Sequence, residues 1–212
     1  SYHGGREEFI KIVDVYDWEF CMIQYNYLDE HNQAGRSGLE YASAKGLPVM
    51  IMEPLRGGKL VTNLPKKVYD IWNNAYVKRS PADWAFRWIW NHPEVTVVLS
   101  GMNSMEMIEE NIRVASEMEV NSFTQEDFDL FEKVRQILNE TIKVPCTACN
   151  YCIPCPKGVD IPTCFSCYND TEIEGKRGAI MKYIMQTSLK SQPHNASLCV
   201  KCGNVRNIEK KK

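Results

Sequence analysis

The chain opens on segments with a clear hydrophobic period and ends on one without any. From Gly5 to Asp14 the apolar residues Phe9, Ile10, Ile12 and Val13 suit a short amphipathic helix, and Phe20 to Leu28 is apolar and aromatic enough for a buried strand. Residues 33–45 predict a second helix, with Leu39, Tyr41 and Ala42 on its apolar side and Gly46 as its stop; Leu47 to Met52 then reads as a second strand. Ser80-Pro81-Ala82-Asp83 is an N-cap followed by a first-turn proline, launching a helix that carries Trp84, Phe86, Trp88, Ile89 and Trp90 and ends near Pro93. Val95 to Leu99 is a third strand. Asn103-Ser104 begins a helix to about Glu117, and Thr124-Gln125-Glu126-Asp127 is a capping-box variant, with Asp in the third position, for a helix through Leu138.

Strand and helix in regular alternation imply an α/β fold with a parallel sheet, either doubly wound or part of a (β/α)8 barrel. About three units are present, too few to close a barrel or to make a comfortable open sheet, and Ser1-Tyr2-His3-Gly4-Gly5 reads as a strand end running into a helix. The expectation is a chain that starts within a larger fold.

Composition narrows the classes. A net charge of -2 with both signs interspersed gives no electrostatic footprint for nucleic acid. No apolar run approaches the roughly 20 residues that cross a bilayer, and the first residues are not a signal peptide, so a cytoplasmic protein without membrane partners is expected.

After Val144 the alternation gives way to a Cys-, Pro- and Gly-rich segment leading into a helical stretch around 176–188, which divides the chain into 1–143 and 144–212. Of nine cysteines, Cys21 stands alone in a strand and reads as core; the others lie between Cys146 and Cys202. Cys146, Cys149 and Cys152 have CxxCxxC spacing, Cys155 stands directly before Pro156, and Cys199 and Cys202 form a CxxCG. Two-residue gaps let a loop aim successive thiolates at one small cluster, and soft thiolates suit iron–sulfur or zinc. Zinc ribbons pair CxxC motifs about 15–20 residues apart, whereas Cys149 and Cys199 are much farther apart, so iron–sulfur is favoured. Cys164 and Cys167 follow Pro162 at a helix start and read as small apolar fillers.

The triplet with its cysteine-proline resembles the pattern of bacterial two-cluster ferredoxins, in which the fourth cysteine reaches the other cluster. Here the gap before that cysteine is two residues rather than three, and Cys199-Val200-Lys201-Cys202 is not followed by a further cysteine. The resemblance therefore implies one or two 4Fe-4S clusters held among Cys146, Cys149, Cys152, Cys155, Cys199 and Cys202.

Four segments lie where strands give way to helices, the place where α/β folds assemble sites: Ser1-Tyr2-His3-Gly4, Gln24-Tyr25-Asn26, Glu53 to Gly58, and Ser100 to Ser104 ending at Glu110-Asn111. Ser1 and Gln24 can hydrogen-bond an amide-bearing ligand, and Gly57 and Gly58 allow a backbone to approach a pyrophosphate. In this order the segments resemble the aldo-keto reductase family, most closely bacterial members with a C-terminal ferredoxin-like extension. That resemblance implies a partial (β/α)8 TIM barrel followed by a small Cys-rich, helical ferredoxin-like module. It also implies NAD(P) held by Ser1, Gln24, Pro54, Leu55, Gly57, Gly101, Asn103, Glu110 and Asn111. Met52 and Met107 stand where the family commonly has an aromatic and an arginine, and Tyr2 where it has a polar residue. The family's catalytic Asp, Tyr, Lys and His come from the barrel's first half, so this chain alone is expected to be inactive, with no catalytic residue of its own. The implied whole protein is an oxidoreductase acting on a small carbonyl substrate, with a possible electron-transfer partner. The alternative is a non-catalytic iron–sulfur or zinc module on a barrel remnant.

Overall fold

The computed structural model describes residues 1–146, 150–173, 175–189 and 193–202. It divides into two compact units, Ser1–Gln136 and Ile137–Lys212, the division falling inside a helix.

The first unit alternates helix and strand: α1 (Arg6–Asp14), β1 (Cys21–Gln24), α2 (Gly35–Ala44), β2 (Val49–Met52), α3 (Lys66–Asn74), α4 (Pro81–Trp90), β3 (Val95–Val98), α5 (Met105–Glu117) and α6 (Gln125–Thr141), which continues into the second unit. The strands form a parallel sheet in the order β1-β2-β3. Ile23 pairs with Ile51, and Ile51 with Val98. Between Val49 and Met50 the β3 register slips by one residue, and the extra residue, Thr96, accepts the Val49 N–H on its Oγ1 at 3.1 Å. Tyr2 makes an isolated parallel bridge to Ile23 on the other side of β1, donating its N–H to the Met22 carbonyl at 3.0 Å.

A parallel sheet is covered by helices, and the core that these helices share is aromatic. Trp72 of α3 stacks on Trp84 of α4 with ring centroids 5.3 Å apart, and Phe131 of α6 packs edge-on against both. Tyr27 and Trp88 join the same cluster. The three tryptophans, Tyr27 and Phe131 are all fully buried. Trp84 and Trp88 thus pack in the core, as the helix pattern predicts, and Trp90 lies partly buried against a smaller cluster of Ala82, Phe86 and Val114.

Several elements start where the side chains dictate. Ser80 Oγ caps α4 by accepting the Asp83 N–H at 2.9 Å, and Thr124 and Asp127 cap α6 reciprocally, the Thr124 N–H donating to Asp127 Oδ2 at 2.9 Å and the Asp127 N–H to Thr124 Oγ1 at 3.3 Å. β1 is shorter than its apolar run. Asn26 Oδ1 accepts the N–H groups of Leu28 and Asp29, at 3.1 and 2.9 Å, and this side-chain turn takes the chain out of the sheet after Gln24. α3 is an element that the hydrophobic pattern alone does not predict; it is anchored by Val68 and Trp72.

In the second unit the described residues are helices and turns without a strand: α7 (Ile161–Asn169), α8 (Gly175–Tyr183) and a π-turn at Ile184–Ser188 that extends α8. Asp160 caps α7, accepting the Thr163 N–H at 3.2 Å. Asn169 at its end closes on the strand-less segment before it: Oδ1 accepts the N–H groups of Lys143 and Val144, and Nδ2 donates to the Val144 carbonyl. Among the described residues no helix is long and apolar enough to cross a membrane.

Candidate functional site

The loop after β2 is bent by four left-handed residues. Glu53, Arg56, Gly57 and Gly58 all have positive φ, between 53° and 82°. For the two glycines this is inexpensive; for Glu53 and Arg56 it costs about 1–3 kcal/mol each and persists only where surrounding contacts hold it. Those contacts are a buried polar network beneath the loop. Asn26 Nδ2 donates to the Glu53 carbonyl at 3.0 Å and to Asp29 Oδ2 at 3.1 Å, and Gln24 Nε2 donates to the same Asp29 oxygen at 3.0 Å. Arg56 Nε lies 3.3 Å from Asp29 Oδ2, in ion-pair contact without hydrogen-bond alignment, and both side chains are almost wholly buried. The loop is thereby fixed from below by the segment that follows β1.

Above the network the loop forms one wall of a cavity of about 450 Å³, within the roughly 300–1,000 Å³ usual for small-molecule and cofactor sites. Glu53, Pro54, Leu55, Gly57 and Gly58 make this wall. The opposite wall is the end of β3 and the face of α5: Ser100, Gly101, Met102, Met107, Glu110 and Asn111. α5 is held in place by short polar contacts. Ser80 Oγ donates to Glu110 Oε1 at 2.6 Å, Asn111 Nδ2 donates to Ser100 Oγ at 3.0 Å, and Asp83 of α4 accepts from Arg113 of α5 at 2.7 Å. A Cβ built on Gly58 or Gly101 meets nothing within 4 Å, so both glycines open on space that a ligand backbone or phosphate can enter.

Two carboxylates, Glu53 and Glu110, and no lysine or arginine are among the lining residues. Burial, and after it the charge of Asp29, pushes the Glu53 carboxyl above its ordinary range, against the opposing pull of Arg56, the Gly57 N–H and Lys59.

Of the residues predicted to hold a nucleotide, the structure brings Pro54, Leu55, Gly57, Gly101, Glu110 and Asn111 onto this one cavity. Ser1, Gln24 and Asn103 are not among its walls. Ser1 is exposed. The Gln24 carboxamide, expected to meet an amide-bearing ligand, is buried and engaged at both ends, donating to Asp29 and accepting from Gln33 Nε2 at 2.7 Å. Met107 lines the cavity. Glu53 opens one of the segments singled out in the sequence, but no role was assigned to it, because the left-handed turn that brings it to the wall is not a local signal. His92, two residues past the end of α4, is buried, its Nε2 3.2 Å from the Tyr25 hydroxyl and its Nδ1 2.8 Å from the Trp88 carbonyl oxygen.

The cysteines of the second unit fall in different surroundings. Cys155, Cys199 and Cys202 open on a single apolar cavity of about 200 Å³, and Cys164, read from the sequence as an apolar filler, opens on it too. Burial, then Asp160 and Cys167, pushes the Cys164 thiol up to about 11. Cys146 and Cys152 are half-buried and do not line this cavity, Cys167 is buried, and Cys149 lies outside the described residues. Among the described residues, no three His, Cys, Asp or Glu side chains are grouped to hold a metal ion. Cys21, expected in the core, is half-buried, and its thiol is likewise raised to about 11, chiefly by burial.

The profile of the aldo/keto reductase family matches residues 8–136. No curated protein matches the chain. Among solved structures it is similar to the aldo-keto reductase AKR11C1 from Bacillus halodurans in its holo form, at 16% identity and a TM-score of 0.48, over 63% of this chain and 49% of that one. The chain thus spans about half the length of that relative. The family match takes in β1 to β3 and every residue of the cavity between the loop after β2 and α5, and on that match the chain belongs to the aldo/keto reductase family.

Proposed function

We propose that the first unit is the nicotinamide-nucleotide-binding part of an aldo-keto-reductase-type oxidoreductase, one acting on small carbonyl substrates. The observation that carries this reading is the cavity between the loop after β2 and α5, whose glycines leave room for a phosphate. In this reading the backbone at Gly57 and Gly58 lies against the pyrophosphate, Pro54 and Leu55 cover it, and Gly101, Glu110 and Asn111 receive the adenosine end. A carboxylate such as Glu110 suits a ribose hydroxyl, to which it can accept a hydrogen bond. Ser1 and Gln24 mark the carboxamide end, Gln24 by position only since Asp29 and Gln33 engage its amide, and Asn103 the approach to α5. The polar network of Gln24, Asn26, Asp29 and Arg56 keeps the loop in its left-handed form before a ligand arrives, so that little ordering is left to binding. When bound, the nicotinamide supplies hydride chemistry, and the protein's part is position and electrostatics.

The second unit, in the same reading, is a thiolate module for iron–sulfur, with Cys146, Cys149, Cys152 and Cys155 in one motif and Cys199 and Cys202 in the other. Its donor set is all sulfur, which fits soft, thiophilic metal chemistry. The cluster would supply one-electron transfer, with a redox partner, or would staple a unit that has little core of its own.

Titration of the full chain with NADH, followed by the nucleotide's own fluorescence, tests the first part. Saturable binding to the wild type that is weakened in Gly58→Val supports it. Absence of saturable binding of either NADH or NADPH refutes it.

A further inference from the structure

We infer that Cys164 is a metal-ligating residue, supplying the fourth thiolate of a site whose other three are Cys155, Cys199 and Cys202. The inference rests on the iron–sulfur reading of the second unit and goes beyond it, since neither spacing nor motif assigns Cys164 a role. Two observations lead to it.

The four thiols, distant in sequence, open on one cavity of about 200 Å³, and its other walls are mainly apolar, Val159, Ile161 and Phe165 among them. Four cysteines lining one cavity are a complete donor set for a cluster, which is held by four thiolates.

The segments that carry them are tied to one another. The Asp160 N–H donates to the His194 carbonyl at 2.9 Å, and His194 Nδ1 lies 2.7 Å from the Gly158 carbonyl oxygen, joining the start of α7 to the stretch that leads to Cys199. Cys164 is held on the first turns of α7, its N–H bonded to the Asp160 carbonyl at 3.0 Å. The Lys201 N–H approaches Cys199 Sγ at 3.4 Å, a backbone donor of the kind that stabilises a thiolate.

Among the described residues no three potential ligands are grouped for one metal ion, so a cluster and a single zinc are told apart by metal and sulfide content. Each thiol gives up its proton on ligation, so loading releases protons to solvent.

The test loads the full chain anaerobically with ferrous iron and sulfide, and measures bound iron, acid-labile sulfide and zinc in the wild type, Cys164→Ala and Cys167→Ala. Cys167 is buried on the same helix but does not line the cavity. The expected result is iron and sulfide in the wild type and in Cys167→Ala, with the share bound at this site lost in Cys164→Ala. Pulse alkylation at alkaline pH with peptide mass spectrometry gives a readout on the wild type alone: Cys164 is modified in the metal-free chain and protected after loading. Wild-type content retained by Cys164→Ala, or equal modification of Cys164 before and after loading, overturns the inference and leaves the iron–sulfur reading standing. A wild type that takes up no iron and sulfide, or zinc alone, overturns both.

Discussion

Replacing Asp29 by alanine probes the link between the buried network and the cavity. Asp29 is 5% exposed and faces Arg56, which is 3% exposed, so the substitution removes the carboxylate in contact with a buried guanidinium. Breaking a buried pair from one side costs about 3–5 kcal/mol. The amides of Gln24 and Asn26 lose an acceptor as well, and each buried donor left unmatched costs about 1–3 kcal/mol, less where it can turn to another oxygen. The losses share one network and do not add, so the expected destabilisation is about 3–5 kcal/mol, a large part of the roughly 5–15 kcal/mol of a typical domain. Urea unfolding followed by tryptophan fluorescence reads it, because Trp72, Trp84 and Trp88 are buried in the core of the same unit. The double variant Asp29→Leu with Arg56→Met removes the stranded charge together with its partner and recovers most of the loss. An Asp29→Ala midpoint equivalent to less than about 1 kcal/mol, or a double variant no more stable than the single one, refutes the reasoning.

Further outcomes follow from the cavity walls. Gly101→Leu places a side chain in open space and leaves the fold intact, so it weakens NADH binding by at least about tenfold, or about 1.4 kcal/mol, with an unchanged thermal midpoint. Met107→Arg adds a cation to a lining that has none and tightens NADPH relative to NADH by about tenfold, measured by paired fluorescence titrations. For Glu53, burial raises the native carboxyl above its unfolded value, so the native state holds a proton over a range where the unfolded chain has lost it. Stability therefore falls as pH rises from the ordinary carboxylate range through the raised native one, and Glu53→Gln flattens that part of the urea-midpoint profile.

Much of the first unit was legible because its signals are local. Ser80-Pro81 and Thr124 to Asp127 cap helices by contacts that span three residues, and the alternation of strand with helix requires no tertiary information. What was not legible depends on distant partners. The apolar run Phe20 to Leu28 continues past Gln24, and only the Asn26 side-chain turn ends the strand. α3 has two buried anchors among polar residues, and its Trp72 acquires meaning from Trp84 and Phe131. At the site, the strand-end glycines Gly57 and Gly101 were legible, since a missing Cβ is a property of the sequence, and the structure places both on one cavity. Gln24 shows the limit: its residue type suits a carboxamide ligand, yet Asp29 and Gln33 occupy its hydrogen-bonding groups in this fold. The cavity that Cys164 shares with cysteines nine residues before and thirty-five after it was likewise beyond local signals.

The central claim is that the loop after β2 and the face of α5 together receive a nicotinamide nucleotide. Hydrogen–deuterium exchange of the full chain with and without NADH tests it directly. The account predicts slowed exchange in both 53–62 and 100–111, the two walls of the cavity, and little change in α1 or α2. Protection confined to other segments, or an exchange pattern that NADH leaves unaltered at saturating concentration, would contradict it.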